Sequence, residues 1–292
     1  MDVFTIKDIE NLTGIKAHTI RVWEQRYSFL QPRRTTTNIR FYSGNQLQKI
    51  LGIALLNKYG YKISHIDRMS TAEIDRRISE LPHEQAQQER LVNDLLTAMT
   101  SLQLEAFGEI LDSDIRKKGI EHTILQLIFP FLDRLGLLWL TNHVQPAHEH
   151  LVSNIIRQKL ILGIEKLGVR SSAQSAVLLL PEGEHHELAL LFIQYLLKRR
   201  GIKTWYLGAD TPFTEFLYIA KKVKPDFVFT HITAPAGNFK LARYIADIHT
   251  GLPGVQAILS GAFVHGYHRK TPGSIHLMRT LESITAFIDT LP

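Results

Sequence analysis

SAVLLLPEGEHHELALL, residues 175–191, decides the fold of the last third of the chain. An unbroken apolar run ends at Leu180, a Pro181-Glu182-Gly183 turn interrupts it, and helical apolar spacing starts at Leu188. A short apolar strand passing directly into a helix opens a βα unit. The alternation then continues. Strand candidates KTWYLG (203–208), DFVFTHI (226–232) and VQAILSG (255–261) are separated or followed by the helices PFTEFLYIAKKV, KLARYIADIH and LESITAFIDTL. This order predicts an open parallel α/β sheet of the Rossmann-like, flavodoxin-like kind, whose ligands bind beyond the carboxyl ends of the strands. The turn after the first strand lies at such an end, and it carries Glu182, Glu184, His185, His186 and Glu187.

Three chemistries compete for that turn. A simple metal or catalytic centre would use the same five side chains, but neighbours in sequence do not all converge on one ion, and neither a nucleophile nor a third imidazole accompanies them. A dinucleotide site needs a glycine-rich turn, whereas this one has a single glycine and an excess of negative charge. The third reading is an imidazole offered to the metal of a large cofactor. Glu184-x-His186 sets a carboxylate two residues before a histidine, where it can fix the tautomer and raise the basicity of the ligand.

The other end of the chain carries the charge. Residues 1–62 hold ten Lys/Arg against four Asp/Glu, a balance of +6, which equals the net charge of all 292 residues. One small basic module is the footprint of a polyanion-binding domain. In FTIKDIENLTGIKAHTIRVWEQRY, Ile6, Ile9 and Leu12 share one helical face, Thr13-Gly14 makes a turn, and Ile20, Trp23 and Tyr27 follow at helical spacing. This is a helix-turn-helix pattern that leaves Lys16, His18, Thr19, Arg21 and Arg26 for the outer face of the second helix. A Pro-punctuated basic loop and the β segment IRFY then predict a two-stranded wing over residues 30–42, and Ser43 is a candidate N-cap for the helix beyond it.

On TIRVWEQRY, the Arg-rich wing and RFYS followed by a helix, the segment from about residue 2 to 70 resembles the MerR family of winged-helix transcription regulators. The resemblance implies double-stranded DNA as partner, with Arg21 on the recognition helix and Arg34, Arg40 and Tyr42 in the wing as contacts, and Arg33 and Asn38 as further ones. Many MerR proteins pair through a long coiled coil directly after this module. Here TAEIDRRISELPHEQAQQER offers a short helix, a Leu81-Pro82 break and a Gln-rich stretch without heptads, so residues 78–88 read as a linker and pairing is expected from the domains C-terminal to it. Residues 89–170 show four amphipathic helical stretches, the pattern of a four-helix bundle. The expected division is therefore 1–77, 78–88, 89–170 and 171–292, a multidomain α plus α/β chain.

The last domain resembles the cobalamin-binding domains of methionine synthase, the mutases and the light-sensing repressors of the CarH/LitR type. Their pattern is Asp/Glu-x-His-x-x-Gly, then Ser-x-Leu, then Gly-Gly. This chain has Glu184-x-His186-x-x-Ala189, Thr230-x-Ile232 and Gly261-Ala262 in that order. The resemblance implies cobalamin as ligand, His186 as lower ligand of its cobalt with Glu184 behind it, and Thr230 and Gly261 beside the buried nucleotide tail. Ala189 and Ala262 each stand where the motif has glycine. Trp139, then nine residues, then Glu149-His150 is similar to a motif of the CarH-type bundle that covers the upper face of adenosylcobalamin. It implies that Trp139 packs at the adenosyl group with Glu149 and His150 near it. Where CarH-type photoreceptors have a histidine after the motif tryptophan, this chain has Leu140, which leaves His143, His148 and His150 as the imidazoles nearby.

With no cysteine, no basic-then-apolar leader and no apolar run of the roughly 20 residues a membrane span needs, a cytoplasmic protein is expected. The combined expectation is a non-enzymatic repressor. Its assembly as a homo-oligomer, dimer or tetramer, and its operator binding respond to adenosylcobalamin and light. The alternative is a MerR-type regulator whose cobalamin fold binds no corrin and serves assembly or a protein partner.

Overall fold

Thr5 and Asp8 start the first helix by capping each other: the Thr5 hydroxyl accepts from the Asp8 N–H while the Asp8 carboxylate accepts from the Thr5 N–H at 2.6 Å. That helix, α1 (Ile6–Thr13), stops at Gly14, whose φ of 73° makes the left-handed turn into α2 (Ala17–Arg26). Ile9, Leu12, Ile20 and Trp23 are buried, so the helix-turn-helix packs by the face that its periodicity marks. The computed structural model describes residues 3–36, 38–139, 144–168 and 173–291. Its first sheet orders β1 (Val3–Phe4), β3 (Arg40–Ser43) and β2 (Arg33–Arg34) with both pairings antiparallel. β1 is too short to show a period. Ser43 caps α3 (Gly44–Lys58) reciprocally with Gln46, and α4 (Ile63–Ile66) and α5 (Thr71–Ser79) complete the module.

The expected linker over 78–88 is corrected by the structure. The next helix, α6 (Glu84–Thr100), begins inside it, and Gln87 Nε2 reaches back to the carbonyls of Ile78 at 3.0 Å, Ser79 at 3.2 Å and Leu81 at 3.0 Å. The last carbonyls of a helix lack partners within it, so a glutamine here seals α5 to α6 where polar composition suggested a tether. α3 packs on α6, Lys58 pairs with Glu89 at 2.6 Å, and the Tyr59 and His83 rings stack with centroids 5.4 Å apart.

The remaining helices of the bundle are α7 (Leu104–Lys118), α8 (Ile120–Thr123), α9 (Phe129–Trp139) and α10 (Pro146–Glu165). α8 and α9 are joined through a π-helical turn, Ile124–Ile128, that widens the helix ahead of Pro130. A proline ring in regular α geometry clashes with the carbonyl four residues back, and the wide turn, closed by the Phe129 N–H on the Ile124 carbonyl, precedes it. Leu95, Leu96, Phe107, Leu111, Leu127 and Phe131 form the interior. The chain divides into two compact units, Met1–Ile155 and Ile156–Pro292, so the break falls within α10 and not after residue 170. Among the described residues no helix is long and apolar enough to cross a membrane.

In the second unit five strands run parallel in the order β5 (Lys203–Thr211), β4 (Ser175–Pro181), β6 (Phe227–His231), β7 (Gln256–Ser260) and β8 (Ile275–Met278). β8 is an addition to the four strands that the sequence pattern predicts. The helices are α11 (Leu188–Arg199), α12 (Phe213–Val223), α13 (Leu241–Gly251), α14 (Ala262–His265) and α15 (Leu281–Thr290). Val177, Leu179, Val228, Ala257 and Leu259 pack with α12 and α13 on one face, whereas Phe227 and Phe229 meet Phe287 of α15 on the other. The strand order reverses between β4 and β6, and in such sheets the crevice at the reversal is the ligand position.

Candidate functional site

The 181–187 turn is tied to both neighbouring strand ends. Gly183 N–H donates to Asp210 Oδ1 at 2.8 Å and its carbonyl accepts from Ala236 N–H at 2.9 Å, while Asp210 N–H donates to the Glu184 carbonyl at 3.0 Å. Gly183 has a φ of 78°, and a Cβ there would fall 3.0 Å from that of Ala236. The Glu184 carboxylate is fully buried. Its Oε1 accepts from the backbone of His185 and His186, both at 2.9 Å, and from His186 Nδ1 at 2.6 Å; its Oε2 accepts from Thr233 and Ala234 N–H, both at 2.7 Å. Burial opposes its ionisation, but the hydrogen bonds from His186, Ala234 and Thr233 outweigh burial and hold the carboxyl at about 2.

An ionised Glu184 places a hydrogen of His186 on Nδ1, so that in the neutral form of the ring the lone pair is on Nε2. The side chain is 49% exposed at the strand ends. This is the second-sphere arrangement that orients metal-binding imidazoles. Glu187, at the end of the turn, is engaged elsewhere, accepting from the Tyr206 hydroxyl at 3.1 Å and lying 2.7 Å from Arg157 Nε.

The structure separates the remaining residues that the resemblance assigns to the tail. Thr230 is fully buried on the α12/α13 face, where its side chain meets the hydroxyl of Tyr244. Ala189 is buried in the first turn of α11, on the opposite face. Gly261 has a φ of 100°, and a Cβ there would lie 2.2 Å from the Ile232 carbonyl oxygen, so the chain's own backbone demands this glycine. Ala262 is exposed at the start of α14, and its methyl displaces nothing in the fold.

A residue that sequence reasoning missed stands at the end of β6. His231 Nδ1 lies 2.9 Å from Ser260 Oγ, and the Ser260 hydroxyl donates to the Thr230 carbonyl at 3.3 Å, so the histidine N–H is the donor to Oγ. Burial pushes His231 down to about 4, with His186 and His265 adding to the effect and Glu184 opposing it. The available signal was a histidine at an inward position of an otherwise apolar alternation.

In the bundle, Glu149 and His150 lie in the first turn of α10 with His150 Nδ1 3.4 Å from Glu149 Oε2, and His150 is exposed. One position earlier, His148 has a buried Nδ1 without a hydrogen-bond partner. Trp139 closes α9; its side chain, like Leu140 and His143, lies outside the described residues.

The basic module presents Lys16, His18 and Arg21 on the open side of α2, with Thr19 partly buried beside His18 at 3.3 Å. Arg33 and Arg34 are exposed on the wing, where Arg34 Nη1 donates to Asn38 Oδ1 at 2.7 Å and Asn38 turns the tip with a φ of 65°. Tyr42 requires a correction. It is fully buried and its hydroxyl donates to Glu24, whose other oxygen accepts from Arg40 Nε at 2.8 Å. Burial and the Glu24 carboxylate raise the Tyr42 phenol well above its usual range. Arg40 and Tyr42 thus brace the wing against α2, and Glu24, which the sequence reading left unassigned, is the brace.

A winged helix-turn-helix with a basic outer face, a helical bundle and a doubly wound sheet carrying a carboxylate-backed histidine define a class: DNA-binding regulators of the MerR type with a B12-binding region. Residues 4–73 match the MerR HTH family regulatory proteins and residues 90–162 match the B12 binding domain family. The chain is 31% identical over 235 residues to the HTH-type transcriptional repressor CarA of Myxococcus xanthus, covering 79% of this chain and 77% of CarA. It is 25% identical over 260 residues to CarH of the same organism, covering 86% and 87%. In structure it is similar to the monomethylamine corrinoid protein of Methanosarcina barkeri, with a TM-score of 0.54 at 13% identity over 70% of this chain and 99% of that one, a likeness of fold. The chain belongs to the family of MerR-type regulators with a B12-binding domain that includes CarA and CarH.

Proposed function

We propose that the chain is a transcriptional repressor whose hold on operator DNA is set by a bound corrinoid. The observation that carries this reading is the Glu184–His186 pair, a half-exposed imidazole oriented by a buried, ionised carboxylate at the switch point of the sheet. The donor set fits a cobalt ion: His186 would ligate through Nε2, and Glu184 would hold the ring and its tautomer. When bound, a corrin would supply a cobalt ion able to take an imidazole and, in its adenosyl form, a light-sensitive cobalt–carbon bond. The adenosyl form and light sensing rest on the resemblance carried by Trp139-x9-Glu149-His150; in place of the histidine missing at Leu140, His148 offers an unpartnered ring nitrogen. Arg21, Arg33 and Arg34 would neutralise operator phosphates or read base edges, with Lys16, His18, Thr19 and Asn38 beside them. Assembly into a homo-oligomer would raise operator avidity, about 10²-fold or more for linked modules.

The test is an absorption titration of the full chain with adenosylcobalamin, in the dark and after green light, alongside His186→Ala. The expected result is a shifted corrin spectrum that survives gel filtration, weakens in the variant and alters operator affinity. A folded, DNA-binding protein that retains no corrin would instead support a fold kept for assembly.

A further inference from the structure

His231 lies on the sheet face covered by α11 and α15. Strand alternation sets this side: Val228 packs with the α12/α13 core, Phe229 meets Phe287 at 6.3 Å, and His231 follows Phe229 two residues on. In the β6–β7 register His231 is opposite Ser260, which is almost fully buried and hydrogen-bonded to both His231 and the Thr230 carbonyl. α11 begins on the same side with Ala189 buried in its first turn, and β4 and β6 are adjacent strands, so the imidazole occupies the region between the end of β6 and the start of α11.

A protein histidine that becomes the lower ligand displaces the corrinoid's own base, and the nucleotide carrying that base must find room beside the strand ends. We infer that in this chain His231, braced by Ser260, takes the place such a base needs, so that the site selects corrinoids lacking the nucleotide, of the cobinamide class, over complete cobalamins. The inference rests on the corrinoid reading above and adds the ligand class. Its physical ground is crowding: a base that enters beside the hydrogen-bonded imidazole must displace it from close-packed volume, which weakens the binding of a complete cobalamin without abolishing it, and Ala189 narrows the same side by a methyl where the motif has glycine.

The experiment compares cobinamide and hydroxocobalamin by absorption titration with the full-length protein, His231→Ala and the bulk-retaining His231→Gln. The wild-type chain is expected to bind cobinamide about tenfold more tightly than hydroxocobalamin. His231→Ala is expected to shift the preference toward cobalamin by about tenfold with cobinamide affinity unchanged, and His231→Gln to behave as wild type. Equal affinity of the wild-type chain for the two corrinoids, or a preference for cobalamin, overturns the inference, and weaker cobalamin binding in His231→Ala overturns it by making His231 a contact to the tail. Retention of neither corrinoid by the folded proteins overturns the corrinoid reading itself and the inference with it.

Discussion

Gly261 and His231 lie at the ends of adjacent strands and fail in different ways when changed. Gly261→Ala forces a methyl to 2.2 Å from the Ile232 carbonyl at a φ of 100°, so backbone strain and overpacking add. A loss of about 3 kcal/mol or more in urea unfolding is expected. His231 carries a pH signature instead. The folded chain holds it at about 4, chiefly by burial, while the unfolded chain protonates near 6.5, so the unfolded state binds more protons between those values. Stability from this group is complete above about pH 6.5 and declines as pH falls toward 4, by at most about 1.4 kcal/mol per pH unit. His231→Gln should flatten that limb when unfolding is followed across the window; an unchanged limb would assign it to other groups. Glu184-x-His186 was legible from spacing because both partners lie within one turn. The His231–Ser260 pair was not, since its contact exists only through the β6–β7 register.

Helices and strands are tied together here by polar side chains that composition alone misassigns. Arg40 and Tyr42 share one side of β3 by alternation, and the acceptor that claims both sits on another element, at Glu24 of α2. Basic and aromatic residues in a wing read as DNA contacts until that acceptor is seen. Glu24→Gln keeps the volume but removes the charge facing a buried phenol and a guanidinium. A cost of about 1 to 3 kcal/mol in stability is expected, with weaker operator binding in fluorescence anisotropy because the wing loses its set position on α2. The helix-turn-helix itself was legible because period and turn residues agreed. The Gln-rich start of α6 was not, since a side chain that closes a neighbouring helix has the composition of a linker. Gln87→Ala should cost about 1 kcal/mol by freeing the carbonyls of Ile78, Ser79 and Leu81, measured by thermal unfolding.

Across the chain, charge and order are distributed unequally. The entire excess of +6 lies in residues 1–62, so DNA affinity should fall steeply with salt. Arg21→Ala should lower the slope of log affinity against log salt by about one, which mobility-shift titrations at several salt concentrations would read. The sheet unit has the opposite character, with order concentrated around one carboxylate. Glu184 gathers the amides of His185, His186, Thr233 and Ala234, and so pins the turns after β4 and β6 before any ligand arrives. Those amides should therefore exchange slowly with heavy water in the ligand-free protein. A receptor built this way gives up its loop freedom during folding, so little is left to lose when a guest docks. Encounter rates should then vary little from one guest to the next, and the residence time should carry the discrimination.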